Sequence, residues 1–88
     1  MIVIAAKSFN KDISKIRDKK VAVKIEEIII QLEKAKSIAE LPNVKKMEGA
    51  SIPYRIRIED YRLGFYLIDH TVQLIVFAHR KDICKLFP

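Results

Sequence analysis

Two arginines spaced two apart in an alternating stretch are the first feature here that points to chemistry. Arg55 and Arg57 are interleaved with Tyr54, Ile56 and Ile58. On an extended strand successive side chains point to opposite faces, so both arginines share one face and the apolar residues share the other. Arg62 follows a turn candidate at Glu59-Asp60, and Arg80 closes a later apolar run, flanked by His79 and Lys81. If the intervening strands form a meander, these groups converge on one surface, and of the arginines only Arg17 is left out. Clustered guanidiniums repel one another and so add little stability. They suit a phosphate, whose oxygens accept two hydrogen bonds from the planar fork. The plainer reading is a solvated strand face whose arginines are balanced by Glu59, Asp60 and Asp82.

A guanidinium stays protonated near neutral pH and is a poor base. Histidine ordinarily titrates near neutrality, which makes His79 a candidate for proton transfer or phosphate contact. The competing reading is a strand-end histidine that packs or hydrogen-bonds. Other chemistries lack their residues. His70, His79 and Cys84 do not have metal-ligand spacing. Gly49 and Gly64, the only glycines, form no phosphate-cradling loop. Neither a metal nor another cofactor is expected.

These side chains need a scaffold. Met1 to Ala6 reads as a short strand rich in Ile and Val. Ser8 is a candidate N-cap for a first helix carrying Phe9, Ile13 and Ile16. Asp18 to Lys20 reads as a polar joint, with Asp18 able to cap a second helix. There Val21, Ile25, Ile28, Leu32 and Ala35 step by four, three, four and three, an amphipathic stripe that should weaken between Ser37 and Leu41, ahead of Pro42. The period then changes from helical to two. Val44 to Met47, Tyr54 to Glu59, Tyr61 to Ile68 and Thr71 to Ala78 read as strands, with Glu59-Asp60 and Asp69-His70 as tight turns. In the last strand, alternation places Val72, Leu74 and Val76 on one face and Gln73, Ile75 and Phe77 on the other. The tail from Arg80 has room for one helical turn.

The expected fold is α+β: an N-terminal strand, then a two-helix hairpin packed on one face of an antiparallel sheet, in one domain spanning 1–88. Half of the residues are apolar, enough for a core. The net charge of +6 favours polyanionic or acidic partners. Cys84 stands alone, which excludes an internal disulfide and fits a reducing compartment. No signal segment and no membrane-length apolar run is visible, so a cytoplasmic protein is expected.

Three segments together resemble the RelE/ParE superfamily, and its RelE-like branch in particular. Tyr54 to Leu63 is similar to the central hairpin signature of RelE-type toxins, His79 to Ile83 to their C-terminal motif, and Lys46 to Gly49 to the strand end before the hairpin. The order of elements matches over essentially the whole chain. The resemblance implies a toxin of a type II toxin–antitoxin pair, held in check by a cognate acidic antitoxin. It implies a metal-independent endoribonuclease that cleaves mRNA on the ribosome. There the ribose 2′-OH attacks the adjacent phosphate, giving a 2′,3′-cyclic phosphate or 3′-phosphate and a 5′-OH. The family's catalytic positions map onto Arg55, Arg57, Arg62 and Arg80, with His79 beside them, and its RNA contacts onto Lys46, Lys81 and Phe87.

The chain departs from the family pattern at two positions. Cys84 stands where many relatives have tyrosine, and Glu59 where they often have glycine. Two alternatives share the fold. One is a ParE-like DNA gyrase poison, which needs no catalytic cluster; the other is a catalytically inactive interaction module. Lys7, Lys11, Lys15, Lys19, Lys20 and Lys24 make the helical hairpin basic, a surface for an acidic antitoxin, for ribosomal RNA, or for water alone.

Overall fold

The computed structural model describes residues 1–38, 44–46 and 53–87, and of 44–46 the backbone alone. In chain order these residues form β1 (Ile2–Ala5), α1 (Lys7–Ser14), α2 (Lys19–Lys34), β2 (Val44–Lys46), β3 (Pro53–Ile58), β4 (Tyr61–Ile68), β5 (Thr71–His79) and α3 (Ile83–Leu86). The strands make one sheet in the order β1-β5-β4-β3-β2. The α+β class and the helical hairpin stand as expected. The sheet is antiparallel from β2 to β5, but β1 joins β5 in parallel. The two helices intervene between β1 and the meander, and the chain returns to lay β5 beside its own first strand.

The second helix forms where its stripe predicts. Val21, Ile25 and Leu32 are buried, and Ile28 is half-buried. Asp18 caps it, its Oδ1 accepting from the backbone N–H groups of Lys20 at 2.9 Å and Val21 at 3.4 Å. These are donors that a helix start otherwise leaves open. The helix ends at Lys34, earlier than the expected weakening between Ser37 and Leu41. Its last carbonyls find a donor there: the Met1 ammonium meets the oxygens of Leu32, Glu33 and Ala35 at 3.2, 2.9 and 2.9 Å. A cation at a helix C-terminus is favoured by the helix dipole. Leu41, Pro42 and the Met47–Gly49 part of the strand-end motif lie outside the described residues.

Ser8 is not the cap of the first helix. That position belongs to Ala6, which makes no side-chain cap bond. Ser8 instead donates from Oγ to the Ile75 carbonyl at 2.6 Å, and Asp12 Oδ2 accepts from the Phe77 N–H at 3.0 Å. The reason is an edge. β1 stops at Ala5, and the Ala6 N–H reaches the Leu74 carbonyl at 2.9 Å. Beyond that point β5 has no strand partner on this side among the described residues, and α1 supplies side-chain partners to its backbone.

The chain doubles back through two-residue connections at both expected turns. Asp69 and His70 both have positive φ, 46° and 67°, as a primed hairpin turn requires. Glu59 has φ 52°, the left-handed region that favours glycine.

Facing along β5 departs from simple alternation. Gly64 opposes Val76 but Phe65 opposes Leu74, so Ile75 is an extra residue. A bulge of this kind reverses the facing of everything after it. Val72 and Leu74 are therefore joined in the main core by Phe77, while Val76 turns to the opposite face with Ile75. The main core lies between helices and sheet, around Phe9, Val21, Ile25, Leu32, Ile56, Leu63 and Phe65. A smaller cluster of Val76, Ile83 and Phe87 closes part of the back face. No helix among the described residues is long and apolar enough to cross a membrane.

The link between α1 and the bulge is testable. Asp12→Ala orphans the Phe77 N–H and should lower unfolding free energy by about 1–3 kcal/mol, whereas Asp12→Asn, which keeps an acceptor, should lose less; urea denaturation measures both.

Candidate functional site

The register of β3, β4 and β5 builds the site on the sheet face away from the helices. Tyr54, Ile56 and Ile58 enter the core, which turns Arg55 and Arg57 to the back. Arg57 lies directly across from Arg62, and Arg62 from Ala78. In the next row Arg55 faces Gly64, and Gly64 faces Val76. Arg80 reaches the same end because its backbone N–H donates to the Asp60 carbonyl at 2.8 Å, tying the turn after β5 to the turn before β4.

Arg62 is half-buried and held by backbone carbonyls. Its Nη1 donates to the carbonyls of Tyr61 at 2.8 Å and Glu59 at 3.1 Å. Burial lowers its pKa from the usual guanidinium value, and the charges of Arg57, Arg80 and, more weakly, Arg55 add to that, with Asp60 opposing. The guanidinium remains a cation. Arg62 thus feels the charge of each of the other three arginines.

The carboxylates do not neutralise them. Glu59 pairs with Lys24 of α2, on the other side of the turn. Among the described residues no carboxylate forms an ion pair with Arg55, Arg57, Arg62 or Arg80. Of the carboxylates in the plainer reading, Glu59 is paired with Lys24 instead, and Asp60 acts on Arg62 by charge without forming an ion pair. The cluster keeps its positive field, which concentrates anions near it.

The other expected site residues divide. Lys81 is exposed in the turn after Arg80. Cys84 is exposed on α3, and its Sγ lies 3.8 Å from Arg55 Nη2. Phe87 does not offer a ring for stacking: it is 3% exposed, packed against Tyr66 with ring centroids 5.1 Å apart. His79 faces away from the arginines. It opposes Tyr61 and meets that ring edge-on at 5.6 Å, on the face of Phe77. Its Nδ1 accepts from the Lys81 N–H at 3.2 Å, which assigns the hydrogen of a neutral ring to Nε2. Lys46 ends β2, and its side chain lies outside the described residues.

Gly64 was not singled out by sequence reasoning. A Cβ there would lie 2.8 Å from two Phe87 ring carbons and 2.8 Å from Val76 Cγ1, so the ring rests on bare backbone. A glycine inside a strand pattern signals either a bulge or a close approach, and here both occur. A cleft of about 570 Å³ opens around the end of the sheet, between α2 and the β3–β4 turn. Lys24, Glu27, Gln31, Arg57, Glu59 and Asp60 line it, so Arg57 borders both the cleft and the arginine face.

The Lys24–Glu59 pair spans that cleft and sets a pH dependence. The hydrogen bond from Lys24, then its charge, holds the Glu59 carboxyl below its ordinary 4.5. A lowered carboxylate pKa contributes stability above the unfolded value and loses it as pH falls through the folded one. The difference in urea midpoint between wild type and Glu59→Gln should therefore be present at neutral pH and shrink to nothing as pH drops below 4.5.

Similarity to known proteins runs the full length of the chain. Toxin RelE3 of Methanocaldococcus jannaschii is 33% identical over 89 residues, covering 100% of both proteins. A chain of the RelB–RelE antitoxin–toxin complex from Methanococcus jannaschii superposes with a TM-score of 0.81 at 29% identity, over 97% of this chain and 99% of that one. A chain of the archaeal RelE–RelB complex from Pyrococcus horikoshii shares the fold, with a TM-score of 0.75 at 23% identity over 90% and 93% of the two chains. No family model matches the sequence.

Proposed function

Because this chain belongs to the RelE toxin family, we propose that it is the toxin of a type II toxin–antitoxin pair and cleaves mRNA on the ribosome. One observation carries the assignment of chemistry to this chain. Register puts Arg55, Arg57 and Arg62 on one sheet face, a backbone bond to Asp60 ties Arg80 to the same end, and no carboxylate pairs with any of them among the described residues. A protein gains no stability from that arrangement, whereas a phosphodiester gains a ready-made anion site.

In this reading Arg55, Arg57, Arg62 and Arg80 orient the scissile phosphate. The ribose 2′-OH attacks phosphorus and gives up its proton to water. The bond to the 5′ oxygen breaks as that oxygen takes a proton from water, leaving a 2′,3′-cyclic phosphate and a 5′-OH. Charge builds on the non-bridging oxygens, where fixed donors are worth most. Guanidinium charge fills the role that a metal ion has in other nucleases. His79 serves by position: its Nδ1 holds the Lys81 N–H and so the turn carrying Arg80 and Lys81. Lys81 is a candidate for backbone contact with RNA; Lys46 stands opposite core-facing Tyr54 in the register, not opposite an arginine, so its strand does not support the same role.

The partner follows from charge. Lys7, Lys11, Lys15, Lys19 and Lys20 are exposed on and between α1 and α2, a second basic surface across the sheet from the arginines. An acidic antitoxin that orders as it binds fits such a surface. The two RelE structures compared above are themselves antitoxin–toxin complexes. The gyrase-poison alternative is not favoured, since these relatives are RelE proteins.

The test is an in vitro translation reaction on a defined mRNA, with cut sites mapped by primer extension and naked mRNA in parallel. Cleavage should require ribosomes, and Arg57→Ala or Arg80→Ala should each lower its rate on the order of 10²–10³-fold. Absence of cleavage by the wild-type protein would overturn the nuclease assignment.

A further inference from the structure

We infer that Phe87 is a positioning residue: seated on Gly64, it anchors α3 so that the turn holds the Arg55 guanidinium in place for phosphate. The inference rests on the nuclease reading and deepens it.

Three observations meet at this point. The Phe87 ring lies against the Gly64 backbone, closer than any side chain at 64 would allow. Gly64 is the cross-strand neighbour of Arg55, so the ring is seated on the residue directly opposite the arginine. Among the described residues the Arg55 Nε is buried without a hydrogen-bond partner, while Nη2 is held against Cys84 Sγ. One edge of the guanidinium is thereby enclosed by the C-terminal turn, and its terminal nitrogens carry the donors left for an anion.

The anchor and the contact belong to one rigid turn. The Phe87 N–H closes α3 on the Ile83 carbonyl at 2.9 Å, and Ile83 is itself buried at 2% exposure. With Phe87 and Ile83 both buried on the back face, Cys84 between them has a fixed position over Arg55. Glycine weakens a strand interior, so its presence at 64 argues for something that needs the space. Removing the ring frees α3 and gives Arg55 room to rotate, although Arg55 itself is untouched.

Two measurements test this. The first is water exchange of the arginine Nε–H protons, read by ¹⁵N NMR on the intact chain. The Arg55 Nε–H should exchange more slowly than that of exposed Arg57; Phe87→Ala should abolish the difference, and Phe87→Leu should keep most of it. Equal exchange in the wild type, or no change in Phe87→Ala, overturns the inference. The second is ribosomal mRNA cleavage at saturating ribosomes. Phe87→Ala should lower the rate on the order of 10²-fold, the scale of a small misplacement of a reacting group. Phe87→Leu should restore most of it, and Arg55→Ala combined with Phe87→Ala should be no slower than Arg55→Ala alone. Losses that multiply in the double variant, with thermal melts still cooperative, overturn it too. Should Phe87→Ala fail to fold, Gly64→Ala displaces the same ring and is read in the same two ways. If the wild-type protein cleaves nothing, the nuclease reading falls, and the NMR comparison alone decides whether Phe87 positions Arg55.

Discussion

Arg55, Arg57, Arg62 and Arg80 repel one another, and much of the back of this protein consists of what keeps them together. The ties that hold them are not opposite charges. Arg62 is held by the carbonyls of Glu59 and Tyr61, Arg80 by a backbone bond to Asp60, and Arg55 by contact with Cys84. Carbonyl dipoles and a thiol fix geometry without cancelling charge. A carboxylate would have been the stronger partner, and it would have removed the field that makes the cluster useful.

Holding repelling charges requires a rigid support, and a chain of 88 residues has little stability to spare. The division of the sheet into two faces meets that demand. One face carries the apolar side chains and closes against α1 and α2, while the other carries the cations and, among the described residues, a small cluster of Phe87, Ile83 and Val76. The bulge at Ile75 links the two. It sends Phe77 into the main core and Val76 to the back, so one strand contributes to both clusters. Backbone groups on the free edge of β5 here are taken up by Ser8 and Asp12 of α1.

The turn before β4 is the other shared point. Its Glu59 reaches Lys24 on the helix side, its Glu59 carbonyl holds Arg62, and its Asp60 carbonyl holds Arg80. The positive φ of Glu59 is the conformational demand of turning in so few residues. A turn that holds two of the four arginines, and borders the cleft that Arg57 lines, couples the helical layer to the site.

Local pattern alone determined the helices, the hairpins and the sharing of a face by Arg55 and Arg57. Each depends on periodicity within a few residues, such as the stripe from Val21 to Ala35 or the alternation from Tyr54 to Ile58. The C-terminal turn and the Asp18 cap were legible for the same reason. Tertiary structure decided the rest. Nothing local marks Ile75 as the extra residue, so simple alternation puts Val76 and Phe77 on the wrong faces, and sequence proximity puts His79 with the arginines although its ring faces Tyr61. β1 pairs in parallel because of where the chain returns, which is a long-range matter. Phe87 reads from sequence as an aromatic free to stack. It is buried because Gly64, twenty-three positions earlier, leaves a space that only the folded sheet brings beneath it. Sequence specifies which face a side chain takes while the register is regular; where a bulge, a crossover or a distant glycine intervenes, the contact exists only in three dimensions.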